Sequence, residues 1–163
     1  ALENLAKKGN NKKYNFPRPL HNSNECNFSF SGLKTSLIRE AKKIEPINDR
    51  TLADLAASYQ EAIIDCIKIK SEKAIRKILK ENQNTEIQYF VASGGVASNK
   101  AIRDSLTVLA NKHEMKFIAP PMKFCTDNAA MIAWVGGLRL LRGQKDKLNI
   151  PARARWPLEE MRI

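Results

Sequence analysis

From residue 87 to residue 120 the rhythm of the chain changes in a way that few folds accommodate. IQYFVA is a compact apolar run of strand length, and SGGVASN follows it at once. A helix-like segment then runs from about Asn99 to His113. MKFIAP is a second short strand, PPMKF a loop, and TDNAAMIAWVGGLRLLRG a closing helix. Strand, glycine turn, helix, strand, helix is an α/β order. In such folds the ligand edge lies at the strand ends, where SGGVASN and FCTDN both fall.

Upstream the pattern is helical. Leu52, Leu55, Ala56, Tyr59, Ile63, Cys66, Ile75, Ile78 and Leu79 recur mostly at three- and four-residue steps. They predict one long helix from about Thr51 to Asn82, with Thr51 and Asp54 as a capping box. LKTSLIREAKKIE reads as a second helix, capped by Ser31 and closed by Pro46. ALENLAKKG is a short helical pattern ended by a glycine. Between them FPRPL is extended, and CNFSFSG alternates as a short strand would, with Phe28 and Phe30 on one face. The tail NIPARARWPLEEMRI is basic and is expected to pack back on the domain.

A chain of 163 residues with 43% hydrophobic content can build one core, as a single domain or as one lobe of a larger enzyme. It has no apolar run of membrane-spanning length and no signal pattern, so a soluble intracellular protein is expected. Cys26, Cys66 and Cys125 are an odd number at spacings foreign to zinc sites, which fits reduced thiols. The net charge of +11 favours a polyanion such as tRNA. A lysine-rich solubility strategy accounts for it equally well.

Three stretches have the residue types that chemistry needs. In SGGVASN, Gly94 and Gly95 let the backbone turn sharply and approach a ligand closely. The amides and dipole of the following helix suit a phosphate or adenylate, with Asn99 placed to bond a ribose or phosphoryl group. The plainer reading is a tight strand-to-helix turn with Ser98 or Asn99 as the cap. In FCTDNAA, Thr126 as a cap would put Asp127 in the first helical turn. The dipole there eases ionisation of a carboxylate that can hold a metal or a water. Simple charge complementarity at a helix start is the alternative. Cys125 has no histidine near it in sequence and reads as a buried thiol. In FSFSGLKT, Lys34 either meets a phosphate or follows an ordinary helix cap. His21 and His113 are isolated, so they form no metal pair, and His113 fits a helix end. Arg139, Arg142, Lys145, Lys147, Arg153 and Arg155 cluster late, as a tRNA contact or a solvated face.

Taken in order, FPRP, NFSFSGLKT, ASYQEAI, VASGGVASNKAIR, FCTDNAAMIAW and RARWPLEE resemble the tRNA N6-adenosine threonylcarbamoyltransferase family (TsaD, formerly labelled glycoprotease) over nearly the whole chain. The resemblance implies the two-lobed fold of actin, Hsp70 and sugar kinases, a mixed sheet with packed helices, and residues 1–163 forming most of the second lobe. It implies transfer of threonylcarbamoyl from threonylcarbamoyl-adenylate to the exocyclic amine of an adenosine beside the tRNA anticodon, releasing AMP. Gly94, Gly95 and Asn99 match the family's adenylate-binding turn, and Asp127 matches a ligand of its metal, iron or zinc. That metal would orient and polarise the threonylcarbamoyl group. A paralogous scaffold subunit, a small ATPase and a cytoplasmic location follow from the same resemblance. The family's HxxxH metal ligands are absent from these residues, as are the first lobe's glycine and aspartate contacts. A chain that also opens without methionine is therefore expected to lack the first lobe and to be inactive alone. A metallopeptidase, as in the older label, and a non-catalytic module binding tRNA or a partner are the rival expectations.

Overall fold

The spine of the fold is α3 (Asp49–Glu81), 33 residues long and therefore about 50 Å from end to end. The computed structural model describes residues 2–82, 86–155 and 157. Asn48 rather than Thr51 caps α3, its Oδ1 accepting from the amide of Thr51 at 2.8 Å. Asn48, Asp49 and Thr51 are all competent caps, and the helix begins at the earliest of them. α3 is covered on opposite sides: Ala53, Ala56, Ile64 and Ile75 are buried on one, and Leu55, Ala62 and Cys66 on the other. Leu52 and Ile78, read as part of the same stripe, are exposed.

The N-terminal segment lies along the first half of this spine. α1 (Leu2–Ala6) packs Ala6, Leu2 and Leu5 against Ala56 and Ala57. Gly9 approaches so closely that a Cβ there would run into the carbonyl of Ala53. Two buried polar groups of α3 then receive the chain. Asp54 accepts from the amide of Asn10 at 2.7 Å, and Ser58 accepts from the amide of Tyr14 while donating to the carbonyl of Asn10. Buried polar groups cost stability unless they are bonded in this way. Phe16 closes the segment, packing with Leu33, Leu55 and Ala62 and meeting the Tyr59 ring edge-on. In the FPRP stretch, Arg18 donates through Nε and Nη2 to Asp65 Oδ2 at 3.0 and 2.7 Å. Lys70, 2% exposed, donates to the carbonyls of Ser23 and Glu25, and Lys73 to those of His21 and Ser23.

α2 (Leu33–Lys43) begins at Gly32, not at Ser31. Gly32 has φ +75° and offers no side-chain cap, so a left-handed glycine makes the entry instead. Residues 26–30 form no strand. Phe28 and Phe30 are exposed, and the one described pairing is elsewhere. Alternation marks a face, but a strand also needs a neighbour to bond.

β1 (Tyr89–Val91), α4 (Lys100–Lys112) and β2 (Lys116–Ile118) form a parallel crossover unit with Tyr89 opposite Lys116, Phe90 opposite Phe117 and Val91 opposite Ile118. Among the described residues the sheet consists of these two parallel strands, and the antiparallel part of the mixed sheet that the resemblance implies is not among them. α4 runs between the caps anticipated for it, Asn99 and His113. Its Ile102, Leu106, Leu109 and Ala110 meet Ile64 and Ile75 of α3 and Met115, with Phe90 and Phe117 against the cluster.

Glu72 of α3 ties this unit to the spine. Its Oε1 accepts from Lys112 Nζ at 2.6 Å and from Arg76 Nη2 at 2.7 Å, with His113 Nε2 3.9 Å away. The Lys112 bond first, and the Arg76 bond second, hold the Glu72 carboxyl below its ordinary range. A depressed carboxyl stabilises the fold above its unfolded pKa, and that contribution disappears as pH falls through the folded value. Glu72→Gln is therefore expected to lower stability at neutral pH by about 1 kcal/mol or less, as pairs near the surface do. Melting curves should converge with wild type in acid, below the folded pKa.

Residues 127–163 form a second unit, distinct from residues 1–126. It contains α5 (Ala129–Leu141), whose amide of Met131 donates to the Asn128 side chain at 3.1 Å. Gly143, with φ +73°, ends the helix, and the amide of Gln144 returns to the carbonyl of Arg139. No described helix is long and apolar enough to cross a membrane. The expected docking of the basic tail falls partly on Trp156 and residues 158–163, which lie outside the described residues.

Candidate nucleotide-binding turn

The chain leaves β1 through Ala92 and Ser93 and turns at Gly94, which has φ +91° and ψ 172°. That region is essentially closed to residues with a Cβ. The space a Gly94 side chain would enter holds no atom within 4 Å, so the backbone is exposed to whatever docks there. Gly95 is different: its Cβ would meet Thr126 Cγ2 at 3.9 Å, an ordinary contact. Gly95–Ser98 then make a single 3₁₀ turn, closed by the amide of Ala97 on the carbonyl of Gly94 and by Ser98 Oγ on the carbonyl of Gly95. The first amides of such a turn have no partner within it.

Asn99 is the N-cap of α4. Its Oδ1 accepts from the amide of Ile102 at 3.1 Å, and its Nδ2 donates to Gln60 Oε1 at 2.9 Å. The capping reading of this residue is the one its geometry displays. That second bond uses one of the two amide hydrogens. The carboxylate of Glu3 reaches the amide of Lys100 at 3.4 Å, so an acidic side chain already meets the helix end. The amides ahead of Asn99, in the glycine turn, are the better seat for an anion.

Behind the turn stands Arg103, half-buried. Its Nε donates to the carbonyl of Ala97, and its Nη2 donates to the carbonyl of Pro120 at 2.6 Å and to Cys125 Sγ at 2.9 Å. Cys125 is a buried free thiol, as its surroundings in sequence suggest. Neither Gln60 nor Arg103 stands out in sequence. Gln60 lies 39 residues from its partner, and the one local cue for Arg103 is its place four residues after Asn99 on the same helix face.

Asp127 opens the second unit. It does not lie in the first turn of a helix with Thr126 as cap. Asn128 is the cap and α5 begins at Ala129, so Asp127 precedes the helix. Three capping-competent residues stand in a row here, and the last one is used. Among the described residues no three His, Cys, Asp or Glu side chains gather closely enough to hold a metal ion. His113 caps the C-terminus of α4, with its buried Nε2 making no hydrogen bond, and His21 is exposed. Burial raises the pKa of the Cys66 thiol, keeping it protonated inside the core. Lys34 is exposed on α2, and Arg139, Arg142, Lys145, Lys147, Arg153 and Arg155 are exposed in the second unit.

Comparison with known proteins adds a family to this geometry. Residues 1–134 match the profile of TsaD, described as tRNA N6-adenosine threonylcarbamoyltransferase. A protein of that name from Zymomonas mobilis is 49% identical over 159 residues, 98% of this chain and 42% of its own length. One from Bartonella bacilliformis is 44% identical over 165 residues, 98% of this chain and 45% of its own. One from Sinorhizobium medicae is 41% identical over 160 residues, 98% of this chain and 44% of its own. The chain thus spans less than half the length of these relatives.

Proposed function

This chain belongs to the tRNA N6-adenosine threonylcarbamoyltransferase family, and on that premise we propose that it is the adenylate-binding part of a tRNA-modifying transferase. The whole enzyme transfers threonylcarbamoyl from threonylcarbamoyl-adenylate to the N6 amine of the adenosine beside the anticodon. A new nitrogen–carbon bond forms, the carbon–oxygen bond to AMP breaks, and the amine gives up a proton. The chain is the greater part of the second lobe of an actin-like two-lobed fold. Its partners are tRNA, a paralogous scaffold subunit and a small ATPase, and its place is the cytoplasm.

The observation that carries this reading is the glycine turn. Gly94 has a conformation reserved for glycine, with open space in front of it. The turn follows a strand at the ligand edge of a parallel sheet. Backbone amides there can receive the adenylate phosphate without a side chain in the way. Asn99 borders the same turn and has amide capacity for a ribose or phosphoryl contact. The strongly basic charge of the chain favours the tRNA substrate.

Asp127 is proposed as one ligand of an iron or zinc ion that would orient the carbamoyl group in the whole enzyme. The described residues of this chain do not fit that metal by themselves, because a transition-metal site takes three or more protein ligands and no such group is found among them. Transfer by this chain therefore needs donors from beyond it. The test joins the chain to the part of the Zymomonas mobilis relative that it does not match. That fusion should release AMP and modify unmodified tRNA in equal amounts when its partners and the adenylate are supplied. The 163-residue chain alone should do neither, and should retain far less than one iron or zinc per chain. Transfer by the chain alone, or a folded fusion with none, would overturn the reading.

A further inference from the structure

We infer that Arg103 is a positioning residue, a three-way clamp that holds the glycine turn in register with the 120–126 segment. The inference rests on the turn being the adenylate seat, but the clamp has a readout of its own. Ala97 belongs to the 3₁₀ turn, whereas Pro120 and Cys125 belong to the segment that follows β2. One guanidinium bonds all three, its Nε reaching the turn and its Nη2 reaching the segment after β2. The planar fork of arginine suits this role, since its nitrogens are fixed relative to one another and cannot swing independently. Both segments meet at Gly95, whose missing side chain faces the methyl of Thr126. Arg103 itself is anchored by α4, which begins at the Asn99 cap and is buried through Ile102 and Leu106. A rigid helix therefore carries a fork that reaches two loops, and the turn's amides keep their direction because both loops are tied to it.

The free thiols report on this arrangement. Cys125 sits under the fork, and Cys66 is buried in α3 outside it. Alkylation of the 163-residue chain with iodoacetamide, followed by peptide mass spectrometry, reads each thiol separately. In Arg103→Met the Cys125 rate should rise about tenfold or more, the scale set by losing hydrogen bonds from a charged donor. Cys66 should remain as slow as in wild type, because the opening is local rather than global. Arg103→Lys keeps the charge but has one nitrogen, and should label Cys125 as fast as Arg103→Met. An unchanged Cys125 rate in Arg103→Met would overturn the clamp. So would a parallel rise at Cys66, which signals a merely structural role, or full protection by lysine, which signals charge alone. In the active fusion, Arg103→Met should raise the KM for the adenylate more than it lowers kcat. Failure of the wild-type fusion would strike the proposed function and leave the thiol result to decide the clamp.

Discussion

Leu109→Ala is expected to lower the unfolding free energy of the chain by about 3 kcal/mol, within the range found for buried leucines whose surroundings relax only partly. Leu109 is 1% exposed on α4 and sits among Ile64 and Ile75 of α3, Ile102 and Leu106 of its own helix, and Met115 just before β2. Every element that carries the glycine turn meets in that cluster. The loss should appear as a lower urea midpoint with an unchanged slope. It is a large share of the roughly 5–15 kcal/mol by which domains of ordinary size are stable. A change below about 1 kcal/mol would mean that the crossover unit does not pack on α3 as described.

Gly9→Ala is expected to be nearly as damaging for a different reason. Its Cβ would meet the carbonyl oxygen and carbon of Ala53 and the amide nitrogen of Asp54, all of them backbone atoms of α3. Backbone inside a helix cannot turn aside as a flexible side chain does, so α1 must lift away. The bond from the amide of Asn10 to Asp54 would stretch with it, leaving a buried carboxylate short of a donor. A cost of about 2 kcal/mol follows, typical of overpacking. Thermal melts should show it, and limited proteolysis should cut the first fifteen residues sooner. Gly95→Ala is the matched control, because its Cβ would find only an ordinary contact with Thr126.

Much of this architecture is visible in the residues themselves, and the reasons differ from one element to the next. α4 is readable at both ends because Ser98 and Asn99 confine its start to adjacent positions before an apolar face and His113 closes it. The two strands are readable because short apolar runs between turns have few other uses. Helix starts are harder. Asn48, Asp49 and Thr51 compete before α3, and Thr126, Asp127 and Asn128 before α5, and each can accept an amide two or three residues further along. Which one does so depends on packing further along the helix. The alternation at Phe28 and Phe30 misleads because, among the described residues, no strand lies beside it to bond it. The turn itself is legible from its paired glycines. The bonds that fix it, Gln60 to Asn99 and Arg103 to Pro120 and Cys125, join residues brought together only by folding.

Lys70 has a chemical consequence of its own. With 18 lysines, the chain presents amines to any acylating reagent at many exposed positions. The Lys70 amine instead lies 2% exposed beneath residues 23–25, its hydrogens committed to two carbonyls there. Acetylation at that position would remove the charge and leave a single N–H for two carbonyls, so the folded chain resists it while its exposed lysines accept it. An acyl group on Lys70 would mark a molecule that had opened between α3 and the loop above it.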